Sequence, residues 1–262
     1  MPDTLSDDEL DRYARHIVLR EVGGRGQALI KAARVAVVGA GGLGSPCLLY
    51  LTAAGVGGLT VIDDDRVALS NLQRQVLFAT SEIGQPKAGA AAARLAALNP
   101  HVAVTPVSTR LDAGNAAALL AGHSVVADGS DSFATRLAVA DATYALRIPL
   151  VSGAIGPFDG QLATFRGWEA GKPCYRCLVG AATDADARNC AETGVLGALA
   201  GVIGAMMALE VLREIAGFGD SLAGRLLLYD ALGARMRTVA LPKDEGCGGC
   251  GKALQSSNTL RL

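Results

Sequence analysis

The sequence predicts an α/β fold built on one continuous, mostly parallel central sheet. Three observations carry that reading. Short apolar strands alternate with helical segments from about residue 34 onward, glycines crowd the turn between the first strand and the next helix, and no long polar linker divides the chain. At 262 residues and 50% apolar composition, the chain can bury one large core and is not a disordered polymer. Its 24 basic and 25 acidic residues leave a formal net charge of -1, so no global field favours nucleic acid or an anionic membrane. A single domain is expected over residues 1–252, with 253–262 as a flexible tail.

The elements follow in order. Ser6 or Asp7 caps an amphipathic helix running to about Leu19, whose acidic first turn suits a helix start. The segments RVAVVGAG, LLYLTAAG and GLTVIDDD then read as strand, helix and strand, a β-α-β unit. Lys87 to Leu98 is alanine-rich and helical, HVAVTPVS is extended, Ala113 to Leu120 is helical, and SVVADGSD is a strand with a polar carboxyl end. In the second half, IPLVSGAIG and GQLATF read as strands and GWEAGKPCYRC as a loop. RLLLYDALGARMRTVAL reads as two short strands around a turn.

The longest apolar run, Val195 to Leu209, is too short and too glycine-rich for a membrane span, so a core helix is expected there. Gly197 and Gly201 have the small-xxx-small spacing that lets a buried helix pack closely. The N-terminal segment MPDTLSDDELDRYARH has neither the basic nor the apolar region of a secretion signal, which predicts a cytoplasmic, unprocessed chain.

Gly39, Gly41, Gly42 and Gly44, placed between a strand and a helix, form a candidate phosphate cradle. Glycine permits a tight turn and close backbone approach, and the first amides of the helix can face phosphate oxygens. Asp63, at the end of the next strand, is placed to meet a ribose hydroxyl. These residues alone leave NAD, FAD and ATP open. Downstream, SNLQRQVLF and GQPK gather Asn71, Arg74, Gln75 and Lys87. The arginine fork and the compact lysine charge suit phosphate oxygens.

Four of the six cysteines form Cys174-x-x-Cys177 and Cys247-x-x-Cys250. Two thiolates from each knuckle can complete a tetrahedral shell around zinc, and a site with four protein ligands is structural because no position remains for water. Two redox pairs or free thiols are the alternatives. Cys47 follows the glycine turn in SPCLLYL and reads as a packed helix position. Cys190, in ARNCAETG, stands outside both pairs and is a candidate nucleophile, with Arg188 nearby.

Taken together, RYARHIVL, the glycine turn, DDDRVALSNLQRQ, GQPK, DGSDSF, PLVSGA, CYRC, the Cys190 region, LYDALG and CGGC resemble the MoeB/ThiF group of ubiquitin-activating-type adenylyltransferases across nearly the whole chain. The resemblance implies a Rossmann-like nucleotide-binding fold with a zinc-tied C-terminal region. It implies use of ATP and Mg2+ to adenylate the C-terminal carboxylate of a small ubiquitin-like sulfur carrier of MoaD/ThiS type, releasing pyrophosphate. It also implies a homodimer, a sulfur donor on a separate protein, and neither nucleic acid nor membrane as partner.

Residue by residue, it sets Gly39, Gly41, Gly42 and Gly44 around the nucleotide and Asp63 at the ribose. Arg74 and Lys87 fall on the phosphates, with Asn71 and Gln75 in the same shell. Asp131 falls at the magnesium-associated aspartate, and Arg15 at an arginine supplied across the dimer. Cys190 matches a thiol that some relatives use for later sulfur transfer. Ser130-Asp131-Ser132 stands where the group more usually has Thr-Asp-Asn, which keeps the carboxylate and changes its neighbours. Molybdenum-cofactor and thiamin pathways are both open. Adenylation of a peptide or amino-acid carboxylate, a nicotinamide or flavin oxidoreductase, and a non-catalytic zinc-stabilised scaffold are the alternative readings.

Overall fold

Strand β1 (Arg34–Val38) lies between β2 (Gly58–Ile62) and β4 (Val125–Asp128), parallel to both. β3 (Ala103–Val107) extends the parallel set beyond β2, and β5 (Leu150–Ile155) extends it beyond β4. Three antiparallel strands follow, β6 (Asp159–Phe165), β7 (Arg225–Asp230) and β8 (Arg235–Ala240). The computed structural model describes residues 5–180 and 194–251, and the eight strands form a single sheet in the order β3-β2-β1-β4-β5-β6-β7-β8. The predicted α/β class and mostly parallel sheet are what the structure contains.

Alternation along β1 builds a core on both faces, because successive side chains of a strand point to opposite sides. Val35 and Val37 join one apolar layer with Leu48, Leu51, Ile203 and Val211, whereas Ala36 and Val38 join the other with Leu120, Val139 and Leu150. The first layer is made by α3 (Gly23–Ala32), α4 (Gly44–Ala53), α5 (Lys87–Leu98) and α9 (Gly197–Ala216). The second contains α6 (Ala116–Leu120), α7 (Phe133–Leu146) and the short α8 (Tyr175–Val179). The helix expected from Ala113 begins three residues later, after Asp112 and Asn115 have tied a turn together with side-chain hydrogen bonds. The loop expected around CYRC contains α8.

The apolar run after Val195 is α9, packed on α4, and no helix among the described residues is long and apolar enough to cross a membrane. Its close approaches use a different glycine pair from the one its spacing suggested. A Cβ on Gly197 would lie 2.1 Å from the Gln73 carbonyl oxygen and one on Gly204 2.3 Å from that of Leu43, while Gly201 faces open space. Helix α9 thus presses directly on the glycine turn after β1.

At the N-terminus the predicted helix to Leu19 is broken into α1 (Asp7–Arg12) and α2 (Ala14–Ile17). Ser6 and Glu9 form a reciprocal capping box at the start, as the Ser6 cap anticipated. The break falls at Tyr13, whose side chain turns inward and is 2% exposed. Its hydroxyl accepts a hydrogen bond from Asn99 Nδ2 at 2.9 Å, and the same nitrogen donates to the Thr52 carbonyl. The Tyr13 ring occupies the space above Gly55, which has a φ of +80°, and a Cβ there would lie 2.3 Å from the ring. Burying the ring outweighs one more turn of unbroken helix, and it fixes the segment that carries Arg15.

Gly55→Ala therefore combines a left-handed backbone strain with a clash against a buried ring. We expect it to cost about 2–4 kcal/mol, read as a lower urea midpoint with an unchanged denaturant slope.

Candidate active site and four-cysteine centre

The connection leaves β1 for β2 on one side, and the chain returns on the other side as β4, so a crevice opens where the carboxyl ends of β1 and β4 diverge. Gly39 ends β1 with a φ of +85°, and a Cβ there would lie 3.2 Å from backbone atoms of Gly129 and Ser130 at the end of β4. A Cβ on Gly44 would come within 1.8 Å of the Gly39 carbonyl oxygen, which explains a glycine at that position. Helix α4 starts at Gly44 without a side-chain cap. Its first amides lie at the crevice, a disposition that favours an anion.

Asp63 closes the cradle from β2. Its Oδ2 accepts the Ala40 amide at 2.7 Å and its Oδ1 the Asp65 amide at 2.9 Å, so the acid shapes the glycine turn as well as bordering it. Burial raises the Asp63 carboxyl above the usual range, while the Lys87 charge and the two amides pull it down. Lys87 heads α5 with its side chain 5% exposed and its Nζ 2.8 Å from Asp65 Oδ2. A short backbone pairing between Arg66 and Pro86 brings these two segments together.

Arg74 lies against the turn. Its Cγ and Cδ would be 3.5 Å from a Cβ on Gly42, and its Nη1 donates to the Ser70 carbonyl at 3.0 Å. Gln75 is 3% exposed, with its Nε2 3.7 Å from the Cβ position of Gly41 and its Oε1 buried without a hydrogen-bond partner. Asn71 uses its Oδ1 to accept the Ala68 amide at 3.2 Å, holding the turn that presents Arg74 and Gln75. The structure thus brings Gly39, Gly41, Gly42, Gly44, Asp63, Arg74, Gln75 and Lys87 together around one crevice.

Asp131 is exposed, two residues past the Gly129 contact with the glycine turn. Arg15 is also exposed, on α2, and no hydrogen bond or ion pair among the described residues joins it to the cradle. Cys190 lies outside the described residues, as does the tail from residue 252. Cys47 is fully buried in α4, and burial pushes its thiol up to about 12, in keeping with a packing role. Three residues that the sequence did not single out stand behind the cradle: Asp128, Arg136 and Tyr175. Only Asp128 had a legible signal, as the polar end of an otherwise apolar strand.

A cavity of about 820 Å³ lies where β7 begins and β8 ends, at the edge of the sheet opposite the crevice. Its cations are committed to the protein, Lys172 to the Ala223 carbonyl and Arg225 to the carbonyls of Asp220 and Ser221. The chemistry-bearing groups converge at the glycine crevice instead.

The four cysteines of the paired knuckles also meet. The sulfurs of Cys174, Cys177, Cys247 and Cys250 lie within 4.8 Å of one another, with separations of 3.9, 3.6 and 3.4 Å along three edges. A tetrahedron with metal–sulfur bonds of about 2.3 Å has edges of about 3.8 Å, so this donor set fits a metal ion. The amides of Asp244 and Gly249 point at the sulfurs of Cys177 and Cys247. Burial raises the thiols of Cys174 and Cys250, the latter to about 11, whereas at Cys247 neighbouring amides overcome burial and lower it. A bound cation would offset the cost of holding these thiolates together.

The ThiF family model matches residues 13–249. The chain belongs to the ThiF family. The sulfur carrier protein adenylyltransferase of Thermus thermophilus is 49% identical over 249 residues, covering 93% of this chain and 92% of that protein. The molybdopterin-synthase adenylyltransferase of Escherichia coli is 43% identical over 248 residues, covering 95% and 99%. The SAMP-activating enzyme E1 of Haloferax volcanii is 47% identical over 252 residues, covering 95% and 92%. Among solved structures, E. coli MccB with MccA-N7isoASN superposes at a TM-score of 0.82 over 94% of this chain and 76% of that one. At 18% identity, that likeness speaks for the fold alone.

The purified ThiF-family chain should hold one metal ion per polypeptide at the four cysteines. Elemental analysis is expected to give a ratio near one that falls towards zero in Cys247→Ser. A wild-type protein oxidised to two disulfides would refute the assignment.

Proposed function

We propose that the chain uses ATP to adenylate the C-terminal carboxylate of a small ubiquitin-like sulfur-carrier protein of MoaD/ThiS type. The observation that carries this reading is the end-to-end likeness to adenylyltransferases named for sulfur carriers, joined to a crevice that gathers a phosphate cradle, Arg74 and Lys87. A carboxylate is a poor acyl donor, and conversion to an acyl-adenylate gives it AMP as leaving group. The carrier carboxylate attacks the α-phosphorus, the bond to the β-phosphate oxygen breaks, and pyrophosphate departs. No nucleophile from the enzyme is needed.

In this reading Gly39, Gly41, Gly42 and Gly44 receive the phosphates, Asp63 accepts from the ribose, and Arg74 and Lys87 stabilise charge that develops on phosphate oxygens. Asn71 and Gln75 shape the same wall. Asp131 would hold Mg2+, which supplies Lewis-acid stabilisation of the leaving pyrophosphate when bound. Zinc suits the four thiolates of Cys174, Cys177, Cys247 and Cys250 as a structural ion. We assign residues 1–252 to one functional unit. Sulfur is then delivered by a separate donor protein, with Cys190 available for that later transfer.

Arg15, exposed on α2, completes the proposal in a homodimer, where the family resemblance has this arginine reach the crevice of a second copy.

The defining experiment is ATP–pyrophosphate exchange with a panel of purified carriers, followed by intact-mass detection of carrier-AMP. Exchange with one carrier and a matching mass increment is expected. A signal only with peptides or free amino acids would move the assignment to those carboxylates, and no exchange with any acceptor would reject it.

Lys87→Ala and Arg74→Ala should each lower adenylate formation by about 100-fold or more while leaving metal content unchanged. Wild-type rates would remove these residues from the mechanism. For the dimer, Arg15→Ala and Lys87→Ala proteins are mixed. One pocket of each mixed dimer then has its own Lys87 and receives an intact Arg15, so activity above either variant alone is expected. A verified mixed dimer without recovery would count against delivery in trans.

A further inference from the structure

Asp131 projects from a backbone that the sheet does not hold. β4 ends at Asp128, and α7 begins at Phe133 after its cap, Ser132, whose Oγ accepts the Thr135 amide. Within this gap the Gly129 amide still donates to the Val38 carbonyl, but Ser130 is held by side chains at both its backbone groups. Its amide donates to Asp128 Oδ1 at 3.0 Å. Its carbonyl accepts from Arg136 through Nε at 2.8 Å and also through Nη2. That carbonyl belongs to the peptide plane that runs on to the Asp131 Cα, so a guanidinium gripping it sets the direction in which Asp131 leaves the turn.

The grip is itself supported. Arg136 lies one turn into α7, with its amide donating to the Ser132 carbonyl at 3.0 Å. The Tyr175 side chain, 5% exposed and edge-on to Phe165 at 5.4 Å, lies beside the Arg136 guanidinium; burial raises the pKa of its hydroxyl, and the Arg136 charge pulls against that rise. The neighbouring Arg176 forks onto Asp141 of α7 at 2.8 and 2.7 Å, which fastens α8, and with it Tyr175, to α7. Asp128 is 1% exposed, and its Oδ2 has no hydrogen-bond partner. A buried carboxylate with one oxygen unpaired is costly to keep. Its Oδ1 bond to Ser130 and the nearby Arg136 charge give it a local purpose.

We propose that Arg136 is a positioning residue for Asp131, acting through the Ser130 carbonyl and braced by Tyr175, while Asp128 fixes the other side of the same residue. The Arg136 guanidinium is committed to the Ser130 carbonyl. This inference rests on Asp131 serving Mg2+-dependent nucleotide binding, and the test separates the two claims.

ATP binding is measured by calorimetry at stepped Mg2+ concentrations on the full-length protein, without a carrier. The proteins are wild type, Arg136→Met, Arg136→Lys, Tyr175→Phe, Asp131→Asn and the Arg136→Met/Asp131→Asn double variant. Arg136→Met is expected to raise the Mg2+ concentration for half-maximal ATP binding by about tenfold, the loss of a charge-assisted bond. Arg136→Lys should recover part of this, since an ammonium can still reach the carbonyl, and Tyr175→Phe should show a smaller shift in the same direction. On the Asp131→Asn background, Arg136→Met should add nothing. Hydrogen exchange of the peptide spanning 126–134 should quicken in Arg136→Met, and metal content should stay at the wild-type value.

An unshifted Mg2+ requirement in Arg136→Met, with Asp131→Asn strongly shifted, would overturn the inference. So would a full additional effect in the double variant. No change in Asp131→Asn itself would instead reject the role given to Asp131. If Arg136→Met does not fold, Arg136→Lys and Tyr175→Phe carry the same decision.

Discussion

The candidate site depends on one close contact, the passage of the β1 exit against the β4 exit. A Cβ on Gly39 would lie 3.2 Å from the backbone of Gly129 and Ser130, and Gly44 leaves no room for a Cβ beside the Gly39 carbonyl oxygen. Parallel strands from opposite sides of a switch point diverge at their carboxyl ends, and here glycine backbones fill the divergence so that a ligand can approach peptide groups rather than side chains. Asp63 then braces the turn through Ala40, and Arg74 lies along Gly42. Replacing any of these small contacts with bulk would move the others, because the turn has no secondary structure of its own to absorb a shift.

Most of this was legible from the sequence because the constraint is local. A glycine run after an apolar strand, an acid at the next strand end and a lysine at a helix start are all readable in chain order. The knuckles of Cys174, Cys177, Cys247 and Cys250 were readable for a related reason: soft-ligand chemistry announces itself by residue type even when the pairs are far apart. The segments that became β6, β7 and β8 were readable as strands, but their antiparallel pairing onto the parallel set was not, because strand direction is decided by the connections between them.

What escaped were contacts decided by three-dimensional packing. Nothing in the run from Ser6 to Leu19 announces that Tyr13 will leave its helix to cover Gly55, since helical periodicity is satisfied there and the competing burial comes from Asn99 and Thr52. The pairing of Gly197 with Gly204 rather than Gly201 depends on which face of α9 meets Leu43 and Gln73. Helix α7 was not read from the sequence, and the Arg136 grip on Ser130, which reaches back six residues past the helix cap, could not be seen without it.

Helix α9 has a consequence for how the cradle comes into being. Gly204 lies against Leu43, Gly197 against Gln73 and Ala200 near Gly42, so the floor of a turn made early in the chain is supplied by residues made late. Contacts of such long sequence separation are slow to close, because the intervening chain must be ordered first. During synthesis the N-terminal β-α-β unit therefore emerges with an apolar flank uncovered and its glycine turn unsupported until α9 has left the ribosome. The cradle is fully supported only once α9 is in place, and a truncated chain that ends before α9 would present the motif without that support.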